Sequence, residues 1–191
     1  MIARTLAALV LAAAVAPACA APRKAPVLVF DAKATDLGTE PQPQPGACRI
    51  NITGIADRRF GKDGMGTDRP LPTETPERWI SAGLDTLKSY GYTVEHSPTP
   101  VPGALNLDVG IIRSYSWFTH IRINGMVALD VTLAGQDGAA PRKFRGTGSL
   151  TNMAGADAEQ VMALNYALNH TVNQMAAGLA SDCAALKVAA Q

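Results

Sequence analysis

"LNLDVGIIRSYSWFTHIRINGMVALDVTL", residues 105–133, decides the fold. Leu105, Leu107, Val109 and Ile111 occupy odd positions, against Asn106, Asp108 and Gly110 on even ones. The alternation resumes with Ile121, Ile123, Gly125, Val127, Leu129, Val131 and Leu133 on odd positions, against Arg122, Asn124, Asp130 and Thr132. A period of two with one apolar side is the signature of half-buried antiparallel strands. The two runs therefore predict a long hairpin. Between them the odd positions read Arg113, Tyr115, Trp117 and Thr119, so the core face turns amphipathic where the chain must reverse. That places Tyr115 and Trp117 on one face, Phe118 near the tip and His120 at the start of the next strand. Aromatics make up only 5% of this chain, which makes the cluster conspicuous. Three roles suit it: Trp117 folding back to close the end of the core, a partner-binding patch of Tyr115, Trp117, Phe118 and His120, or a stacking platform for a ring ligand. Trp and Tyr dominate interface hot spots, which is the physical case for the patch.

Upstream of the hairpin, "CRINITGI" alternates Cys48, Ile50 and Ile52 with Arg49, Asn51 and Thr53, and predicts a first strand. A glycine-punctuated loop leads to Thr75, an N-cap, and Pro76 at the first helical position, where its missing N–H is harmless. Trp79, Ile80, Gly83, Leu84 and Leu87 form a helical stripe that ends at Gly91, and "YTVE" begins another strand. Downstream, "GQDGAAPR" is a turn and "KFRGTGSL" a strand weakened by two glycines. The final helix, from about Asp157, carries Val161, Leu164, Leu168, Val172, Met175 and Leu179 on one face. The expected fold is a two-layer α+β sandwich, a mainly antiparallel sheet of four to five strands with two helices on one face.

The N-terminus has the layout of an export signal over residues 1–20: Arg4, an apolar run from Leu6 to Val15, and the small-x-small site Ala18-Cys19-Ala20. That run is shorter than the ~20 residues needed to span a bilayer. Cleavage after Ala20 and lipidation of Cys19 are both compatible with it, the lipobox Ala16-Pro17-Ala18-Cys19 being degenerate. Residues 21–46, with "PQPQPG", read as a Pro-rich flexible linker, 47–186 as a single domain and 187–191 as a tail. "VLVF" within the linker fits a short strand or an isolated apolar run equally. In an oxidising compartment the two cysteines beyond the signal suggest a Cys48–Cys183 disulfide, since both lie on apolar stripes aimed at the same layer.

Chemistry is hard to find. His96, His120 and His170 lack metal-ligand spacing, "GTGSL" is only an echo of a nucleophile elbow, and "GKDGMGTD" is not framed by a strand and a helix. Asp57, Asp63 and Asp68 lack calcium-loop spacing. Arg58, Arg59 and Arg69 admit an anionic site, against a loop steadied by Asp57 and Arg59. A net charge of +1 without a basic stripe argues against nucleic acid. No catalytic residue, cofactor or metal is expected.

Several motifs together resemble the YajG-like bacterial lipoproteins. They are Asp57-Arg58-Arg59 closing the first strand, a Thr-Pro stretch before a helix ending in Leu87-Lys88-Ser89-Tyr90-Gly91-Tyr92-Thr93-Val94, the long hairpin, a basic-aromatic strand at Lys143 to Gly146, and a last helix reaching Asp182. The likeness covers residues 48–183; the degenerate lipobox and the cysteine pair depart from it. It implies a bacterial envelope lipoprotein. The expectation is an exported, non-enzymatic protein of the periplasm or outer membrane that binds another envelope protein. The alternative is a lipid- or small-molecule-binding accessory component of an envelope transport system.

Overall fold

The computed structural model describes residues 27–35, 40–62, 65, 71, 75–134, 140–153 and 157–189. The expected signal peptide, with Cys19, and the loop residues Asp63, Asp68 and Arg69 lie outside the described residues. Five strands, β1 (Arg49–Asp57), β2 (Thr93–His96), β3 (Leu105–Thr119), β4 (Arg122–Leu133) and β5 (Arg142–Thr151), form one sheet in the order β2-β1-β3-β4-β5. Helix α1 (Pro76–Leu84) runs into a 3-10 helix over Asp85–Tyr90, and α2 (Asp157–Ala189) closes the fold. The arrangement is α+β. β3, β4 and β5 form the expected antiparallel meander, whereas β1 lies parallel to both β2 and β3. The β1–β2 pairing follows from connectivity: α1 carries the chain from the end of β1 back to the start of β2, a crossover that parallel neighbours need, and residues 97–104 then cross β1 to place β3 parallel on its other side.

Both helices cover one face of the sheet. Trp79, Ile80, Leu84 and Leu87 meet Leu164, Leu168, Met175 and Leu179 over Ile50, Ile52, Leu107, Val109, Ile111 and Leu129, all buried. Gly83 lets α1 approach α2, since a Cβ there would lie 2.7 Å from Leu168 Cδ2. Pro76 takes the first helical position as expected, and Thr75 the N-cap, although its hydroxyl makes no capping bond. Gly91 ends the 3-10 helix in the left-handed region at φ 88°, which suits glycine.

The glycines of β5 do more than weaken a strand. Gly146 and Gly148, with Gly125 on β4, point at α2, where a Cβ would overlap the Ala163 carbonyl at Gly125, the Ala167 carbonyl at Gly146, and Tyr166 at Gly148. The helix backbone therefore rests directly on the strand backbone, and the Thr171 hydroxyl reaches down to donate to the Val127 carbonyl at 3.2 Å.

Two boundaries differ from the sequence reading. Residues 27–34, read as linker, are docked on the helical layer: Leu28 joins the core, Asn165 donates to the Val29 carbonyl at 3.0 Å, and Asn169 donates to those of Asp31 and Ala34. Further on, the Gln44 amide donates to the Tyr90 carbonyl. Four apolar residues in "VLVF" and two asparagines on α2 outweigh the polar composition around them. At the other end, Lys187, read as tail, belongs to α2 and donates to the Ala47 carbonyl at 3.1 Å. Beside that contact Cys48 and Cys183 are joined in a disulfide with Cα atoms 5.5 Å apart, tying the start of β1 to the last turns of α2.

The seating of α2 gives a direct test. Gly146→Val must push the helix off β5, because the obstacle is backbone. Denaturant unfolding should show a loss of about 2–3 kcal/mol, at the upper end for an overpacked core, whereas Thr147→Val, on the opposite face, should cost less than about 0.5 kcal/mol.

Candidate functional site

The sheet has one covered face and one free of helices, and a single residue decides which face receives the aromatic cluster. Leu107, Val109 and Ile111 of β3 face the helices, opposite Leu133, Val131 and Leu129. The register then shifts, with Ile112 left without a partner, so that Ser114 pairs with Val127 and Ser116 with Gly125. Such a bulge reverses the alternation. Beyond it Ser114 and Ser116 turn to the helix side, both buried, and Arg113, Tyr115 and Trp117 turn to the helix-free side. Trp117 therefore does not fold over the end of the core. Trp79 is the core tryptophan, its indole N–H donating to Asn165 Oδ1 at 3.0 Å.

Tyr115 and Trp117 form a tilted pair with ring centroids 5.4 Å apart. Tyr115 lies over Met126, its hydroxyl 4.0 Å from the sulfur, and both rings remain half-exposed. Around the pair the same face carries Asn124 of β4 and Thr147, Arg145 and Lys143 of β5. The four residues grouped from the sequence do not stay together. Phe118 pairs with Ile123 on the helix side, and His120 sits exposed in the two-residue turn. Ile121, expected on the core face, shares that turn and is 70% exposed. The signal for the bulge was available: two serines at positions that alternation reserves for apolar residues once the register slips.

A charged cluster neighbours this face. Gly110 leaves room for the Arg58 side chain, whose guanidinium bridges Asp108 on β3 and Asp130 on β4. At the far end Asn51, fully buried, holds the β2–β3 connection by accepting from the Ser97 amide at 2.9 Å and donating to the Ser97 and Thr99 carbonyls. His96 lies 3.4 Å from Asp85, and among the described residues no group of three or more metal-ligating side chains converges.

The Arg58–Arg59 pair splits its duties. Arg59 turns inward and grips Asp57 with two side-chain hydrogen bonds of 2.9 and 2.8 Å, both side chains being nearly buried. The arginines therefore do not line a common anionic site: one is enclosed with its carboxylate, the other neutralised by two. The hydrogen bond from the Arg59 side chain holds the Asp57 carboxyl below its ordinary pKa, against the opposing effect of burial. A carboxylate with a depressed folded pKa stabilises the fold above its unfolded value of about 3.9, and that contribution is lost as pH falls through the folded value. Asp57→Asn should cost about 3 kcal/mol at neutral pH, because it removes the negative charge that the buried Arg59 guanidinium grips. Urea melts of both proteins should show that difference constant above about pH 5 and shrinking below about pH 4.

No family model matches the chain, and no curated protein matches it. Solved structures do. A protein from Xanthomonas campestris, XCC0632 of the DUF330 family, is similar over 84% of this chain and 96% of its own, with 12% identity and a TM-score of 0.50. Weaker likenesses are a protein from Caulobacter crescentus, named a putative lipoprotein, at 17% identity, 69% and 92% coverage and TM-score 0.40, and a PelC dodecamer from Paraburkholderia phytofirmans at 14%, 70% and 93%, and 0.35. At these identities the first likeness establishes the fold alone, and the YajG-like resemblance is carried by the sequence motifs.

Proposed function

We propose that this chain is an exported, non-enzymatic envelope protein of the YajG-like kind, which docks another envelope protein on the helix-free face of its sheet. The observation that carries the reading is the Tyr115–Trp117 pair, set over Met126 on a face that neither helix covers. A β-bulge that re-aims side chains out of a core is a structural commitment, since two apolar rings are withdrawn from burial and two serines enclosed instead. Large rigid rings with a polar edge lose little entropy on binding and contribute heavily to interface energy. Thr147, Arg145 and Lys143 beside them supply the polar and cationic rim that such patches carry. Export is supported by the N-terminal signal and by the Cys48–Cys183 disulfide, which belongs to an oxidising compartment. Attachment to the outer membrane through Cys19 belongs to the same reading.

Site-specific photocrosslinking in cells tests it. A probe at Thr147, on the helix-free face, should capture one discrete envelope protein, and a probe at the exposed Ala177 on the outer side of α2 should not. Trp117→Ala should abolish the capture while lowering stability by no more than about 1 kcal/mol, far below the 3–5 kcal/mol of a buried aromatic. Equal capture from both probes, or capture indifferent to Trp117→Ala, would contradict the reading.

A further inference from the structure

The docked segment 27–34 changes what the opposite side of the molecule can do. Val27, Leu28, Val29 and Phe30 form one wall of a groove whose other wall is Thr75, Arg78, Trp79 and Ala82, with a volume of about 360 Å³. That lies at the low end of ligand pockets, which run about 300–1,000 Å³, and suits one acyl chain. Leu28 seals the base, while Val27 and Val29 are 43% and 67% exposed at the rim. Arg78 stands exposed on α1 beside them, with no ion pair among the described residues. Glu77 and Asp31 are the acidic groups on the same two elements, offset by Lys33 and Arg78, and Arg23 and Lys24 precede the groove in the sequence. Exposed apolar side chains, an apolar slot and an exposed cation, here Arg78, are the three components of peripheral binding to anionic lipid.

Tether length supplies the independent argument. A free 21–46 linker would let the domain roam far from an anchor at Cys19, but the chain is already docked at Val27. Only residues 20–26 separate the two positions, a maximum of about 28 Å when fully extended. An anchored chain therefore holds this groove, and not the sheet, against the bilayer at high effective concentration. We propose that the groove between residues 27–30 and α1 is a membrane contact: it takes an acyl chain of an anionic phospholipid, with Val27 and Val29 entering the interface and Arg78 meeting the headgroups. The helix-free sheet face then points away from the membrane. This proposal rests on the attachment through Cys19 proposed above and not on the protein partner.

The test uses the exported chain from Ala21, which carries no lipid of its own, and vesicles of phosphatidylethanolamine with phosphatidylglycerol. The two tryptophans report on opposite faces. In a Trp117→Phe protein, Trp79 is the sole tryptophan and lines the groove. Its fluorescence should be quenched by phosphatidylglycerol brominated along the acyl chain, whereas in Trp79→Phe the remaining Trp117 should not be. A Val27→Asp/Val29→Asp variant, altered only at exposed positions, should lower vesicle partition by at least about tenfold with unchanged melting. Arg78→Glu should weaken binding to the anionic vesicles only. Absence of vesicle binding, binding indifferent to the valine pair, or quenching of Trp117 in place of Trp79 would each overturn the proposal. Photocrosslinking from Thr147 reads the other face, so either idea can fail alone.

Discussion

The backbone-to-backbone seating of α2 on β4 and β5 is the contact on which the remaining architecture depends. Gly125, Gly146 and Gly148 remove the Cβ at three positions that face the helix, so that Ala163 and Ala167 meet the sheet there through their carbonyls. With α2 so close, the small helical layer needs only α1 beside it to complete the core, and Gly83 brings α1 in by the same device. The disulfide fixes the far end of α2 to β1 across a separation of 135 residues. In the chain-entropy picture such a closure contributes about 2–5 kcal/mol. One face of the sheet is therefore fully used. What happens on the other is free to serve recognition.

Local pattern revealed the elements well where one rule governed them. The stripes Trp79–Ile80–Gly83–Leu84–Leu87 and Leu164–Leu168–Val172–Met175–Leu179 are buried as their spacing requires, and Leu105 to Ile111 and Ile123 to Leu133 present their odd positions to the core. The middle of the hairpin misled for a specific reason. Odd parity precedes and follows the segment, so continuity suggested one face throughout. The slip at Ile112 and the two-residue turn at His120 and Ile121 cancel each other in the numbering while placing Tyr115 and Trp117 on the opposite side. Register is a tertiary property, and here it goes with small residues on the helix side, Ser114 and Ser116 buried and Gly125 against the Ala163 carbonyl.

The docked N-terminal segment was obscured differently. Its surroundings are rich in proline and charge, and composition averages over the short run in which Leu28 is buried and Phe30 packs against the core. Nor does the sequence disclose that Asn165 and Asn169 offer side-chain amides to that segment's carbonyls, the pairing that lets an irregular strap lie on a helical surface with its backbone satisfied. The candidate site suffered the same fate. Its residue types were visible as an aromatic cluster, but which of the four share a face depended on the bulge, and the separation of Arg58 from Arg59 depended on the burial of Asp57.

The proposed docking depends on the face that Trp117 occupies. Hydroxyl-radical footprinting of the purified native protein, read residue by residue by mass spectrometry, addresses it with an internal control in the same molecule. Trp117 and Tyr115, half-buried on the helix-free face, should be oxidised well ahead of Trp79, only 3% exposed and hydrogen-bonded to Asn165. Trp117 protected as strongly as Trp79 would mean that the bulge does not turn the ring out of the core, and the proposed docking face would not exist.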